Sequence, residues 1–254
     1  MFVVKKKNWL LLAALCLAVA LPAADAAAVL KIMEENTMGA KAPQDMEADM
    51  VMTIQNGNNV RVREIHAWTR NSADQDDVRT MKFLSPADVK DVGFLVLGED
   101  SMYIYLPEFH RTRRIASSSK KDPFMGSDFS YEDMGTSAYS KDYNPKLLKE
   151  SDSEWQLELL RQPGADKPYA RIVLHVNKAN TMPTRMELYD AAGNLAKVAE
   201  QVSQPIGKYW VMARIKMSNA KKGTATVMEM KNIKVDQDLK DEIFSERFLK
   251  KRGI

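Results

Sequence analysis

The residues that could make or break bonds are few and scattered. His66, His110 and His175 are the three histidines. Each falls in a different strand-like stretch, without a second His or a Cys at ligand or nucleophile–base spacing. The chain contains no G-x-S-x-G, Walker loop, G-x-G-x-x-G or H-E-x-x-H pattern. Its one Cys, Cys16, excludes a disulfide framework and a Cys-rich metal site. Asp128, Glu132 and Asp133 could gather oxygen ligands for a hard cation such as calcium, but their spacing is not that of an EF-hand, and a solvated loop is the simpler reading. The residues therefore point away from an enzyme and require no metal and no cofactor.

What they favour is binding. Tyr103 and Tyr105 share one strand face, Pro107 ends that strand, and Arg111 and Arg113 then share a face opposite Thr112 and Arg114. Aromatic bodies beside guanidinium groups suit an amphiphile with an apolar tail and an anionic head; a core Tyr pair beside a solvated Arg edge strand is the plainer alternative. Sixteen methionines are a high count, and Met46, Met50, Met52, Met186, Met228 and Met230 fall on apparent strand faces. Unbranched thioethers can line a cavity that accepts chains of varied shape, and they also serve as ordinary core filler. With 37 basic against 34 acidic residues, a formal charge of +3 gives no reason to expect nucleic acid.

The elements that must position these groups are mostly strands. A short helix is expected over 29–38, with Val29, Ile32 and Met33 on one stripe and Gly39 ending it. The period then changes to two. Met46, Ala48, Met50, Met52 and Ile54 alternate with polar partners over 45–55, the turn 56–59 follows, and 60–70 returns as the second arm of a hairpin. Further strands are expected near 77–84, 93–97, 101–106, 111–116, 153–161, 169–177, 183–190, 194–203, 208–219 and 223–233. About a dozen strands in hairpin order, with almost no crossover helices, make a large antiparallel sheet that must curl into a barrel or partial barrel. Asp236 and Asp238 are expected to start a final helix carrying Leu239, Ile243, Phe244 and Phe248. The most irregular stretch is 116–143.

The N-terminus reads as a secretory signal. Lys5, Lys6 and Lys7 precede an apolar run over 9–21, Pro22 breaks it, and Ala24, Asp25 and Ala26 present a small-x-small cleavage pattern. The expected division is a signal peptide over 1–26 and one domain over 27–254. The run is shorter than the roughly 20 residues of a membrane helix, so a soluble exported protein is expected after cleavage.

Certain runs are similar to a known family. F-L-S-P-A-D-V-K-D-V-G at 83–93, Y-L-P at 105–107, R-T-R-R-I at 111–115 and above all F-M-G-S-D-F-S-Y-E-D at 124–133 resemble the LolA-like periplasmic outer membrane lipoprotein-sorting proteins, in their exporter-associated branch. Tyr189, Asp190, Gly193, Asn194, Lys197, Gly207, Tyr209, Trp210, Phe244, Ser245, Arg247 and Leu249 extend the likeness over nearly the whole domain. The resemblance implies an unclosed antiparallel β-barrel lidded by helices and loops. It also implies acyl chains of a lipid or lipoprotein as cargo, transient contact with membranes, and an inner-membrane exporter of the resistance-nodulation-division type as donor. On that reading Met50, Met52, Ile54, Phe83, Tyr103 and Tyr105 are candidate cavity wall, and Phe124, Met125, Phe129 and Tyr131 a candidate lid. Arg111, Arg113 and Arg114 are candidate contacts to head groups or a partner. The rival reading is an accessory protein that holds no lipid and docks on the exporter by a sheet edge; a hydrolase using His110 or His175 is a third.

Overall fold

A computed structural model describes residues 24–71, 77–135 and 138–253; the expected signal segment lies outside them up to residue 23. The described chain forms one antiparallel sheet of 13 strands. The first six are β1 (Asp45–Asn56), β2 (Asn59–Arg70), β3 (Val78–Ser85), β4 (Gly93–Val96), β5 (Met102–Leu106) and β6 (Arg111–Arg114). After the irregular crossing come β7 (Tyr143–Glu150), β8 (Glu154–Arg161), β9 (Arg171–Asn177), β10 (Pro183–Tyr189), β11 (Leu195–Ile206), β12 (Tyr209–Asn219) and β13 (Thr224–Val235). Three helices accompany them: α1 (Ala26–Thr37), α2 (Tyr139–Asp142) and α3 (Glu246–Leu249).

The order across the sheet is β6-β5-β4-β3-β2-β1-β13-β12-β11-β10-β9-β8-β7. From β1 the chain steps outward to β6, crosses to the far margin at β7, and works back until β13 pairs with β1. A sheet of this width coils under its own twist. The two ends, β6 and β7, do not pair, so the barrel stays open. Both margins carry the usual defences of an unpaired strand: β6 is four residues long with three arginines, and β7 carries Pro145, Lys146 and Lys149.

Register decides which face is inner. Met50 pairs with Ile65 on one side and Met230 on the other, and Met52 with Arg63 and Met228. Along β1 the residues Ala48, Met50, Met52 and Ile54 are buried, the face that α1 and the crossing segments 115–135 and 138–142 cover. On the outer face, Trp68, Leu95 and Tyr105 form a second apolar cluster with Phe244, Phe248 and Leu249 of the C-terminal segment. Lys82 is buried beneath that segment and donates to the carbonyls of Leu249 (2.6 Å) and Lys251 (2.8 Å).

Two expectations change. Strand β7 has no counterpart in the sequence reading, because its alternation is short, interrupted by Pro145 and mostly exposed. The final helix does not begin at Asp236. Asp236 and Asp238 both adopt left-handed backbone angles (φ 53° and 55°), and the amides of Gln237 and Leu239 donate to the Asp45 carboxylate at 2.8 and 2.9 Å. The segment stays without regular structure until a 3-10 turn at Asp241–Phe244 and the single turn of α3, capped by Ser245, whose hydroxyl accepts from the Phe248 amide.

Candidate functional site

Two covers lie on the inner face. The first is α1, capped at its start by Asp25, whose side chain accepts from the Ala27 amide. Val29, Leu30 and Met33 are its buried apolar stripe. Near its end the Glu34 carboxylate accepts from the Ser140 amide (2.8 Å) and hydroxyl (2.6 Å), and Asn36 donates to Thr181. These contacts fix α1 to the half of the sheet built from β7 to β12.

The second cover is the 117–135 segment, a strap over β1 to β4 and β13. Phe124 is fully buried, with ring centroids 5.0 Å from Phe94, 5.5 Å from Tyr131 and 6.1 Å from Phe83. Met125 and Gly126 are both left-handed (φ 50° and 73°), which turns their carbonyls toward β2. Arg63 donates to Met125 O and Arg61 to Gly126 O (3.3 Å). The Asp128 carboxylate accepts from the Thr224 and Thr226 hydroxyls, the latter at 2.7 Å. Asp133 accepts from the Tyr169 hydroxyl (2.9 Å) and Lys197 (2.7 Å). Buried hydrogen bonds to ionised groups are the strong ones, so this cover is riveted at both ends.

The third carboxylate, Glu132, pairs with Lys167 at 2.9 Å. Lys167 also contacts Glu99 and lies 3.4 Å from Asp142, while Lys141 binds Glu99 at 2.8 Å. This cluster joins the β4–β5 turn, the strap, α2 and the β8–β9 loop, and so fastens the open seam of the barrel. Burial pushes the Glu99 carboxyl up, but hydrogen bonds from Lys141 and Lys167 outweigh it and hold the group at about 2. Asp128, Glu132 and Asp133 are thus each taken up by protein partners, and among the described residues no group of three or more His, Cys, Asp or Glu is placed to hold a metal ion.

Between the covers lies a hollow of about 280 Å³, which shares Phe129, Asp133, Tyr139, Met186 and Ile215 as lining with a neighbouring hollow of about 170 Å³. Met46, Ala48 and Met50 of β1, Met228 and Met230 of β13, and Met212 and Ile215 of β12 form its floor. Met33 and Met38 line it from the helix side, Phe129 and Met134 from the strap, and Trp210 also lines it. Arg79 lies beside Asp77 on the wall and donates to Met134 O at 3.2 Å. The Tyr139 hydroxyl donates to Met186 Sδ at 3.2 Å, and burial pushes its pKa up to about 12.

The expected site residues divide three ways. Met50 lines the hollow, and Phe129 is both strap and wall. Met52, Ile54 and Phe83 lie on the same inner face but in the solid core under the strap, with Phe124, Met125 and Tyr131. Tyr103 and Tyr105 face outward, Tyr105 into the second cluster and Tyr103 against it. Inside β5 it is Met102 and Ile104 that join the inner core, and a shift of one residue exchanges the faces of a strand. Arg111, Arg113 and Arg114 remain exposed on the free margin of β6, where Arg114 donates to Asp100 O at 2.8 Å. His66 and His175 are held by Asp49 (2.7 Å) and Glu154 (2.9 Å), on strands far apart in the sheet.

Met33 is marked in the sequence only as part of a helix stripe, and methionines 38, 134, 182 and 212 carry no mark there. They reach the hollow from a helix, turns, the strap and a bulged part of β12, where no two-residue period marks them. The methionine count was the available signal.

A family model described as that of an uncharacterized protein matches residues 75–251, most of the chain. No curated protein matches it. A crystal structure of a DUF1329 family protein from Desulfovibrio piger is 26% identical with a TM-score of 0.80, covering 87% of this chain and 96% of that one. A putative outer membrane lipoprotein-sorting protein domain from Vibrio parahaemolyticus is also 26% identical at a TM-score of 0.80, covering 88% and 97%. A LolA superfamily protein from Nitrosomonas europaea, 21% identical, shares the fold at a TM-score of 0.69 over 89% of this chain and all of the other. Among the described residues no helix is long and apolar enough to cross a membrane. The chain thus belongs to the family whose model covers residues 75–251, and its unclosed 13-stranded sheet with two covers is similar to the fold of the solved DUF1329, lipoprotein-sorting and LolA superfamily proteins.

Proposed function

We propose that this protein is a periplasmic carrier that takes an acyl chain of a lipid or lipoprotein into the methionine-lined hollow and moves it toward the outer membrane, without catalysing a reaction. The observation that carries this reading is the hollow itself: an apolar space between two covers, in a fold shared with a lipoprotein-sorting domain. At about 30 Å³ per water-sized group, 280 Å³ accepts on the order of nine methylenes. At about 0.8 kcal/mol each, that is a gross gain of roughly 7 kcal/mol before ordering costs, which suits a cargo that must be released. A longer or second chain requires α1 to move away, because the strap is tied to both halves of the sheet and α1 to one.

Native mass spectrometry of protein purified from a bacterial periplasm tests this. A co-purifying lipid is expected; protein that emerges clean and refuses fluorescent fatty acyl probes contradicts it.

A second reading has its own observation. Arg111, Arg113 and Arg114 on the β6 margin adjoin a turn in which Phe109 is 59% exposed, a cationic edge beside an aromatic anchor, suited to an inner-membrane exporter or to anionic head groups. In Arg111→Glu/Arg113→Glu protein, cross-linking to an exporter should collapse. Lipid uptake should survive if the hollow is the cargo site, and a loss of both would make the margin part of that site.

A further inference from the structure

We propose that the floor of the hollow also binds a soft monovalent cation, Cu(I), through methionine thioethers. Eleven methionines line the hollow among the described residues, against one Ile, one Val and no Leu. A wall that needed only to be greasy would draw on Leu, the commonest apolar residue. The β1–β13 register places Met50 directly opposite Met230, and Met228 lies two residues along the same face. Direct partners have Cα atoms about 4.5–5.5 Å apart, and residues two apart on a strand about 6.7 Å. Three flexible side chains so placed can bring their sulfurs onto one ion. Met46 and Met212 border the same floor. At Met186 a thioether already offers its lone pair to a polar neighbour, the Tyr139 hydroxyl at 3.2 Å.

Thioether sulfur is a soft, neutral ligand that selects Cu(I) over the harder divalent ions. It has no proton to lose, so its affinity does not fall with acid as a thiolate or imidazole site does. His66 and His175 are both engaged with carboxylates elsewhere on the sheet, which makes pH a clean discriminator between the floor and the histidines. The inference does not depend on the carrier reading, since leucine keeps the floor apolar and nearly the same volume but removes the sulfur.

The test uses the full exported chain under anaerobic reducing conditions, titrated with Cu(I) against a chromophoric Cu(I) chelator and, in parallel, with Ag(I) by native mass spectrometry. One equivalent should bind with the same affinity at pH 7 and pH 5, and X-ray absorption of the copper complex should show a sulfur shell. In Met50→Leu/Met228→Leu/Met230→Leu the copper affinity should fall at least tenfold and the sulfur shell should be lost, in protein whose urea unfolding shows it folded. A wild-type protein that loses the ion to the chelator, a nitrogen or oxygen shell, or a triple variant with unchanged affinity overturns the proposal. Should the triple variant fail to fold, the X-ray absorption spectrum and pH comparison on the wild type decide it alone. Copper binding without acyl uptake would sink the carrier reading and leave this one standing.

Discussion

The same two strands build a solid core at one end of the inner face and a hollow at the other. Toward the β1–β2 turn, Met52 and Ile54 lie in the core that Phe83, Phe94 and the strap's Phe124 share, all fully or almost fully buried. A few residues back along β1, Met46, Ala48 and Met50 face open space, with Met228 and Met230 beside them. The difference lies in what is brought down onto the sheet. The strap brings aromatic rings and fastens them with Asp128, Asp133 and the Arg61 and Arg63 bonds, whereas α1 presents a narrow stripe of Val29, Leu30 and Met33. Rigid rings in defined contacts make a close-packed interior; long thioethers without a partner layer leave a space that can adapt.

This contrast breaks most readily at the solid end. Phe124→Ala removes a fully buried ring with three aromatic neighbours and should cost about 3–5 kcal/mol in urea unfolding. A cost under about 1 kcal/mol would mean that the strap does not pack as described. Next in size, Asp128→Ala removes the acceptor of the buried Thr226 O–H while leaving the residue-128 amide bonded to the same hydroxyl oxygen, and should cost about 1–3 kcal/mol. Hydrogen exchange should then show lost protection at the Phe124 amide, which bonds Phe129 O at 2.7 Å, with α1 unaffected.

The seam cluster sharpens the comparison through pH. The folded-state pKa of Glu99 is held near 2 against an ordinary 4.5, so its contribution is fully present above about pH 4.5 and is lost as pH falls toward 2. The stability difference between wild type and Glu99→Gln should therefore be constant at neutral pH and shrink through that window in acid unfolding curves. A difference that grows in acid would reverse the assignment. The smallest effect belongs to the hollow: Met50→Leu and Met230→Leu should each change stability by less than about 1.5 kcal/mol, measured by the same urea titration. A larger loss would show the hollow to be as tightly packed as the strap end.

Much of this architecture is legible in the residues. The alternation from Met46 to Ile54 places β1 and its inner face, and the F-M-G-S-D-F-S-Y-E-D run marks the strap. Period two distinguishes two faces of a strand without saying which one is inner, and Tyr103 and Tyr105 show the consequence. In β4 the whole run Gly93–Val96 is buried, because the C-terminal segment covers the outer face of this half of the sheet. A strand buried on both sides offers no polar face to orient it. The rivets Asp128 and Asp133 read as a solvated acidic loop, since their partners Thr226, Tyr169 and Lys197 lie 98, 36 and 64 residues away. The hollow is the least legible feature, being made by five or more elements and by what α1 fails to fill.

The central claim is that the hollow holds an acyl chain, and the most direct measurement is fluorescent acyl-probe binding to wild type and to Ala48→Trp, with Val62→Trp as the control. Ala48 is buried on the hollow wall, while Val62 is exposed on the opposite face of β2. The account predicts saturable uptake by wild type and the control, and at least a tenfold loss in a folded Ala48→Trp protein. Equal uptake by all three, or none by wild type, would contradict it.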